Sequence, residues 1–265
     1  MDGVSDHSAL KRARFRFYAE LNDFLPAEKR MVPFDYEFRG EQSVKHLIEA
    51  AGVPHTEVDL VLVNGEPSDF FRIVADGDSV DVYPVFEALD VGPVTRVRPR
   101  ALREPRFILD AHLGRLAAYL RMMGFDTRHQ QDADDAELAG ISAAEHRILL
   151  TRDRELLKRR AVTHGYYVRD SNPRRQLVEI LRRFDLVRLV VPFRRCLRCN
   201  AVLETVQREE VAHLVPARSR KYFNDFRRCP GCGRVYWGGS HYRRMSRLIE
   251  EATETAQRTP GCEKS

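Results

Sequence analysis

Apolar and polar residues alternate through ARFRFYAEL (13–21) and VPFDYEF (32–38), a period of two that predicts two strands joined through the LPAEKRM turn region. The period then changes. Ser43 is placed to cap a helix over VKHLIEAAG, Gly52 ends it, and VDLVLVNGEP and DSVDVYPVF supply further strands around Asn-Gly and Asp-Gly turns. The predicted order is β-β-α-β-β. Residues 90–106, DVGPVTRVRPRALREPR, mix prolines and arginines without a period and predict a linker. Beyond it, FILD (107–110) is a short buried strand, and HLGRLAAYLRMMG (112–124) has apolar residues at helical spacing closed by Gly124. FDTRHQ (125–130), DADDAELAGISAAEH (132–146), RILLT (147–151) and RDRELLKRRA then predict strand, helix, strand, helix. Such alternation implies an α/β unit with a parallel sheet flanked by helices. YYVRDSNPRRQLVEILRRFDL continues as a strand, a Ser-Asn-Pro turn and an amphipathic helix.

With 265 residues, 43% of them hydrophobic, the chain can bury two small cores. No stretch approaches the roughly 18 to 20 apolar residues of a membrane span, and MDGVSDHSALKRAR lacks the apolar core of a signal peptide, so a cytoplasmic protein with no membrane partner is expected. The net charge of +5 conceals a division. Residues 1–91 hold 9 Lys+Arg against 18 Asp+Glu, which leaves 35 against 21 in the remainder. A basic half of that size has the electrostatic footprint of a polyanion binder, and charge alone shows no activity.

The predicted parallel sheet changes what the acids can mean, because sites in such sheets form at the carboxyl ends of strands. Asp110, the Asp132, Asp134 and Asp135 cluster, and Thr151 with Asp153 all fall there. Carboxylates gathered in one place repel each other, and magnesium or manganese relieves that repulsion while holding substrate phosphates. Thr151 can add a hydroxyl or orient a bound water. Each acid also stands where a helix begins, where Asp serves equally as an N-cap, and Asp132 reads as a solvated loop acid. Lys158, Arg159 and Arg160 can hold an RNA backbone or form a solvated helix face, and Arg174 and Arg175 are further candidates beside the site.

Cys196-Leu-Arg-Cys199 and Cys229-Pro-Gly-Cys232 form two C-x2-C pairs, with Gly233 easing the second turn. Four thiolates so spaced can close a tetrahedral zinc site, structural because no coordination position is left open. Disulfides and redox chemistry are the weaker readings. The separation between the pairs predicts a zinc ribbon carrying an inserted segment. The fifth cysteine, Cys262, reads as an incidental thiol in a polar tail. After the second pair, Tyr236, Trp237 and Tyr242 interleave with Arg234, Arg243, Arg244 and Arg247, a pattern that suits unpaired RNA bases and phosphates, or else a small ribbon core. His241 is a candidate RNA contact.

Two resemblances sit on these residues. VNGEPSD followed by DGDSVDVYPVF, in the predicted element order, resembles the ubiquitin-like β-grasp domains of bacterial sulfur carriers, over about residues 12–90. Those carriers act through a free C-terminal Gly-Gly, whereas this chain runs on through VFEALDVGPVTRV, so a protein-docking role is expected instead. FILDAHLGRLAAYLRMMGFDT, DADDAEL and RILLTRDRELLKRR, in order, together with CPGCGRVYWGGSHYRRM, resemble the Mut-seven C-terminal RNase family, a branch of the PIN (PilT N-terminus) nuclease-like fold. The resemblance implies magnesium or manganese on Asp110, Asp135 and Asp153, with Thr151 beside them and Asp134 able to exchange with Asp135. It implies metal-dependent hydrolysis of RNA, and the aromatic and arginine run after the second cysteine pair suits a single strand. A non-catalytic RNA-binding adaptor is the competing reading, and a sulfur-carrier partner in cofactor biosynthesis a third. The expected organisation is a tail (1–11), a ubiquitin-like domain (12–90), a linker (91–104), a PIN-like core (105–190), a zinc ribbon (191–250) and a tail (251–265).

Overall fold

The computed structural model describes residues 9–84, 97 and 105–258. The expected linker, apart from Val97, and Cys262 lie outside them. The chain divides into two compact units, Met1–Leu102 with Asp153–Tyr167, and Arg103–Arg152 with Val168–Ser265.

In the first unit, β1 (Leu10–Phe17) pairs antiparallel with β2 (Phe34–Arg39), and Ala13, Phe15 and Phe17 point alternately inward to the core. β1 stops at Phe17, short of the expected strand end, because the buried Asn22 amide donates to the carbonyls of Phe17 and Ala19 and closes a turn. Ser43 caps α1 (Val44–Ala50) by accepting the His46 N–H. β3 (Val58–Val63) and the short β4 (Glu66–Ser68) form a hairpin whose Asn64 and Gly65 both have positive φ, 54° and 82°, as a type I′ turn requires. β5 (Ser79–Pro84) runs parallel to β1 and antiparallel to β3, giving the order β2-β1-β5-β3-β4 over Phe15, Phe17, Leu47, Ile48 and Val80.

The second unit begins with β6 (Arg106–Leu109), α2 (Gly114–Met122), β7 (Asp126–His129), α3 (Asp135–Glu145) and β8 (Ile148–Thr151). β7 and β8 flank β6, both parallel to it. Phe107, Ile108, Leu109, Leu149 and Leu150 are buried in this sheet, and α2 and α3 pack against it. α3 starts three residues later than its periodicity suggests, since Asp134 takes the N-cap.

Residues 153–167 belong to the first unit. α4 (Arg154–Lys158) is only five residues long, because Arg159 turns extended, and β9 (Gly165–Tyr167) follows. Arg154 donates to the carbonyls of Asp23 and Phe24, and the Glu57 carboxylate accepts the Tyr167 N–H at 2.6 Å. The imidazole of the buried His55 lies between Glu49 at 2.7 Å and the Val162 carbonyl at 3.0 Å.

The second unit resumes with α5 (Pro173–Arg183), capped by Asn172 with proline at its first position. β10 (Glu204–Val206), α6 (Arg208–Val211), α7 (Ala217–Tyr222), β11 (Phe226–Arg228) and β12 (Val235–Trp237) form a three-stranded antiparallel ribbon with a helical insertion. Its own core is Val211, Val215 and Phe226, with Phe223, Val235 and Trp237 against them. α8 (Ser240–Gln257) then packs on α5, so residues 251–257, expected as tail, are helical. Ile249 and Ala252 are buried at helical spacing, and the Arg182 guanidinium donates to the carbonyls of Thr255, Ala256 and Arg258, which fixes that end. No helix among the described residues is long and apolar enough to cross a membrane.

Candidate functional site

Asp110 follows the last residue of β6, and the ladder reaches it through its N–H, which donates to the Leu150 carbonyl at 3.2 Å. Its carboxylate makes no cap bond to the turn that follows. Instead Oδ2 accepts from the Thr151 hydroxyl at 2.9 Å, and Thr151, at the end of β8, is 0% exposed. A buried hydroxyl donating to a carboxylate fixes its orientation.

The other acids are spent differently. Asp134 accepts the Glu137 N–H and caps α3, and Asp135 is that helix's first residue. Asp153 belongs to the other compact unit, where it caps α4 by accepting the N–H groups of Glu155 and Leu156. Asp132 is exposed on a bend. Within the second unit the structure therefore joins Asp110 to Thr151, and gathers no acidic group of three with Asp134 and Asp135. Among the described residues, the group of three or more Cys, His, Asp and Glu close enough to share an ion is the four cysteines.

Beside Asp110, at the carboxyl ends of β6 and β7, lies a groove of about 430 Å³ lined by His112, Arg115, His129, Gln131, Ser171 and Gln176 among others. Sequence periodicity gave no reason to single these out. The His129 imidazole, facing the Ala111 carbonyl at 3.1 Å, holds the turn after Asp110 in place. Gly114 makes room for it, since a Cβ there would stand 3.2 Å from the ring. Arg152 donates to the carbonyls of Arg169 and Asp170 and so braces a loop. Lys158 pairs with Glu155, whereas Arg159, Arg160, Arg174 and Arg175 are exposed.

The four cysteine sulfurs lie within 4.8 Å of one another, with Cys196–Cys232 at 3.5 Å and Cys199–Cys229 at 3.3 Å. A tetrahedral zinc with Zn–S near 2.3 Å sets its sulfurs about 3.8 Å apart, so the cluster fits and could hold the ion. Burial opposes ionisation of Cys196, but hydrogen bonds from the Tyr236 hydroxyl and from backbone N–H groups bring its thiol down to about 6. Desolvation and the neighbouring Cys199 push Cys229 up to about 12. Tyr236 thus serves the knuckle, and Trp237 packs in the ribbon core. Trp237 thus takes the core role that the sequence pattern left open, and Tyr236 a role at the cysteines that the pattern did not suggest. Tyr242, stacked on Phe193 with centroids 4.3 Å apart, is partly exposed, as is His241 beside it.

The knuckle is tied to the sheet by residues that motif reading passed over. Arg121, buried on α2, donates to the carbonyls of Thr127, Leu197 and Arg198. Asn200, just past the first pair, takes φ 72°, which Asn tolerates, and its amide bonds the Thr127 N–H and the Asp126 carboxylate. An arginine in the buried stripe of α2 and an Asn closing CLRCN are the signals that could have found them. Asp126 also meets Arg147, whose side chain is 8% exposed, at 2.7 Å, and Arg195 at 3.3 Å. Burial alone would raise the Asp126 carboxyl, but bonds from Arg147 and Asn200 hold it below the usual carboxylate range. A carboxyl depressed in the fold contributes stability above its unfolded value, near 3.9, and loses it as pH falls through the folded one. Asp126→Ala, which strips the buried Arg147 of one of its two carboxylates, is expected to cost about 3 kcal/mol at pH 7. The difference from wild type in urea unfolding should shrink below about pH 4, and a pH-independent difference would deny Asp126 this role.

The chain matches the family model described as Mut7-C RNAse domain over residues 105–249 and the one described as Mut7-C ubiquitin over residues 10–90. Comparison with curated proteins and with solved structures gives no match.

Proposed function

This chain belongs to the Mut7-C RNAse domain family, which points to a nuclease-type function, and from that membership we propose that it hydrolyses RNA phosphodiester bonds with magnesium or manganese. The observation that carries this reading is Asp110, a strand-end carboxylate kept from capping and held by the buried Thr151. Asp135 and Asp153 are the further acids assigned as ligands, with Asp134 able to replace Asp135. Hard oxygen donors of this type fit a hard divalent cation. The bound ion supplies activation of water and neutralisation of charge on the phosphodiester. Thr151 keeps the Asp110 carboxylate aimed, His129 steadies the turn behind it, and Arg115 in the adjoining groove offers a cation for a substrate phosphate. The four cysteines are assigned to a structural zinc, the arginine-rich second unit to RNA, and the ubiquitin-like domain to docking of a protein partner. The compartment is proposed to be the cytoplasm.

Manganese binding, followed by electron paramagnetic resonance on zinc-loaded protein, tests the ligand assignment. Wild type should retain manganese at micromolar concentrations, and Asp110→Asn should weaken binding at least tenfold with zinc content unchanged. Equal binding by the two proteins refutes the assignment and favours a non-catalytic RNA-binding adaptor.

A further inference from the structure

A second, larger groove in the second unit lies away from Asp110, between α7, β12 and the first turn of α8. Its volume, about 1160 Å³, exceeds the roughly 300–1,000 Å³ of small-molecule pockets and suits a segment of polymer. Arg218, Arg234 and Arg243 line it, and no Asp or Glu does. All three are exposed, and none pairs with a carboxylate among the described residues. Arg128, Arg147 and Arg195 of the same unit are, by contrast, each matched to Glu145 or Asp126. Three unneutralised guanidiniums around one concave surface attract a ligand carrying several negative charges.

The groove also carries exposed aromatic rings, one of which, Tyr242, rests with one face on Phe193. Tyr222 on α7 is 66% exposed and Tyr242 on α8 is 39% exposed, while the neighbouring Tyr236 and Trp237 are committed to the knuckle and the ribbon core. A single nucleic-acid strand presents both of the features such a surface recognises, phosphates for the arginines and unstacked bases for the rings. A duplex presents only the phosphates, because its base faces are covered.

We propose that this groove is a binding site for single-stranded RNA, separate from the acidic strand end, with Arg218, Arg234 and Arg243 on phosphates and Tyr222 and Tyr242 on bases. The choice of RNA rests on the ribonuclease reading; the single-strand preference rests on the groove itself. Such a site holds the substrate outside the reacting centre and lowers the RNA concentration needed for cleavage.

The test is fluorescence anisotropy of a labelled 12-nucleotide RNA with full-length, zinc-loaded protein and no added magnesium or manganese, so that binding is read without cleavage. Replacing Arg218, Arg234 and Arg243 together with alanine should weaken binding at least tenfold. It should also flatten the dependence of log affinity on log salt by about 2, at roughly 0.7 per phosphate contact on a single strand. The corresponding triple lysine variant should restore most of the salt dependence. Tyr222→Ala should weaken binding by about fivefold or more, the effect of one lost base stack. Unchanged affinity and slope in the triple alanine variant, equal binding of a duplex of the same length, or equally strong competition by an acidic peptide would each overturn the proposal. Asp110→Asn serves as the control that separates the two ideas. If it binds RNA as wild type does and wild type cuts nothing, the ribonuclease reading fails alone; if the triple alanine variant cuts RNA with unchanged KM, the groove fails alone.

Discussion

Replacing Cys199 and Cys229 together with serine is expected to reduce bound zinc from one ion per chain to none, and to unfold the ribbon with it. The ribbon has little else to hold it. Its core is three buried residues, Val211, Val215 and Phe226, with strands of three residues each. A structural zinc supplies about 10 kcal/mol or more in small domains, and where so little apolar surface is buried that binding energy is folding energy. The effect should spread to the sheet, because Arg121 and Asn200 tie the first cysteine knuckle to Thr127 on β7. Zinc content by a colorimetric chelator and amide exchange over residues 196–237 measure it. Slow exchange retained without zinc would mean that the apolar core suffices.

Gly124→Ala should produce the second large effect, about 3 kcal/mol of destabilisation. Gly124 ends α2 with φ 100°, and a Cβ there would come within 2.2 Å of the Val191 carbonyl oxygen. The turn segment at 191–193 lies across this end, Val191 and Phe193 donating to the carbonyls of Met123 and Met122. An alanine therefore carries the left-handed penalty of about 1–2 kcal/mol and also pushes apart two hydrogen bonds of roughly 1 kcal/mol each. Thermal unfolding should show a midpoint lower by roughly 6–12 °C. A shift of a degree or less would show that the segment moves aside at no cost.

Gly124 also shows what could be read in advance. As a helix stop it is visible in HLGRLAAYLRMMG, but its contact with Val191 is not, because nothing local couples residues so far apart. The same division runs through the fold. Strand and helix periods located the β-grasp sheet and the alternating second unit, since burying one face requires a matching pattern. Where strands ended depended on individual side-chain bonds that periodicity does not encode, as at Asn22, which stops β1 after Phe17. The ubiquitin-like and RNase resemblances are matched by family models over 10–90 and 105–249. The cysteine cluster was legible because C-x2-C spacing is itself a geometric constraint.

The acids were less legible, and for a chemical reason. An aspartate just before a helix can cap it or ligate an ion, and the same sequence serves both. The structure shows the capping bonds of Asp134 and Asp153, and shows Asp110 turned instead to Thr151. An arginine beside such acids, as Arg152 is, can face solvent or hold a phosphate, and its guanidinium is taken by the carbonyls of Arg169 and Asp170. Tyr236 lay in a basic, aromatic run that suggested bases, yet its hydroxyl bonds Cys196. In each case the competing roles use one residue type, so only the partner decides.

The most direct test of the account is cleavage of a labelled single-stranded RNA by the full-length, zinc-loaded protein, with and without manganese, beside an Asp110→Asn, Asp153→Asn double variant. The account predicts manganese-dependent cleavage by wild type and a loss of at least a thousandfold in the variant, with zinc content and RNA binding retained. Cleavage of equal rate by both proteins, or none by wild type at any manganese concentration, would contradict it.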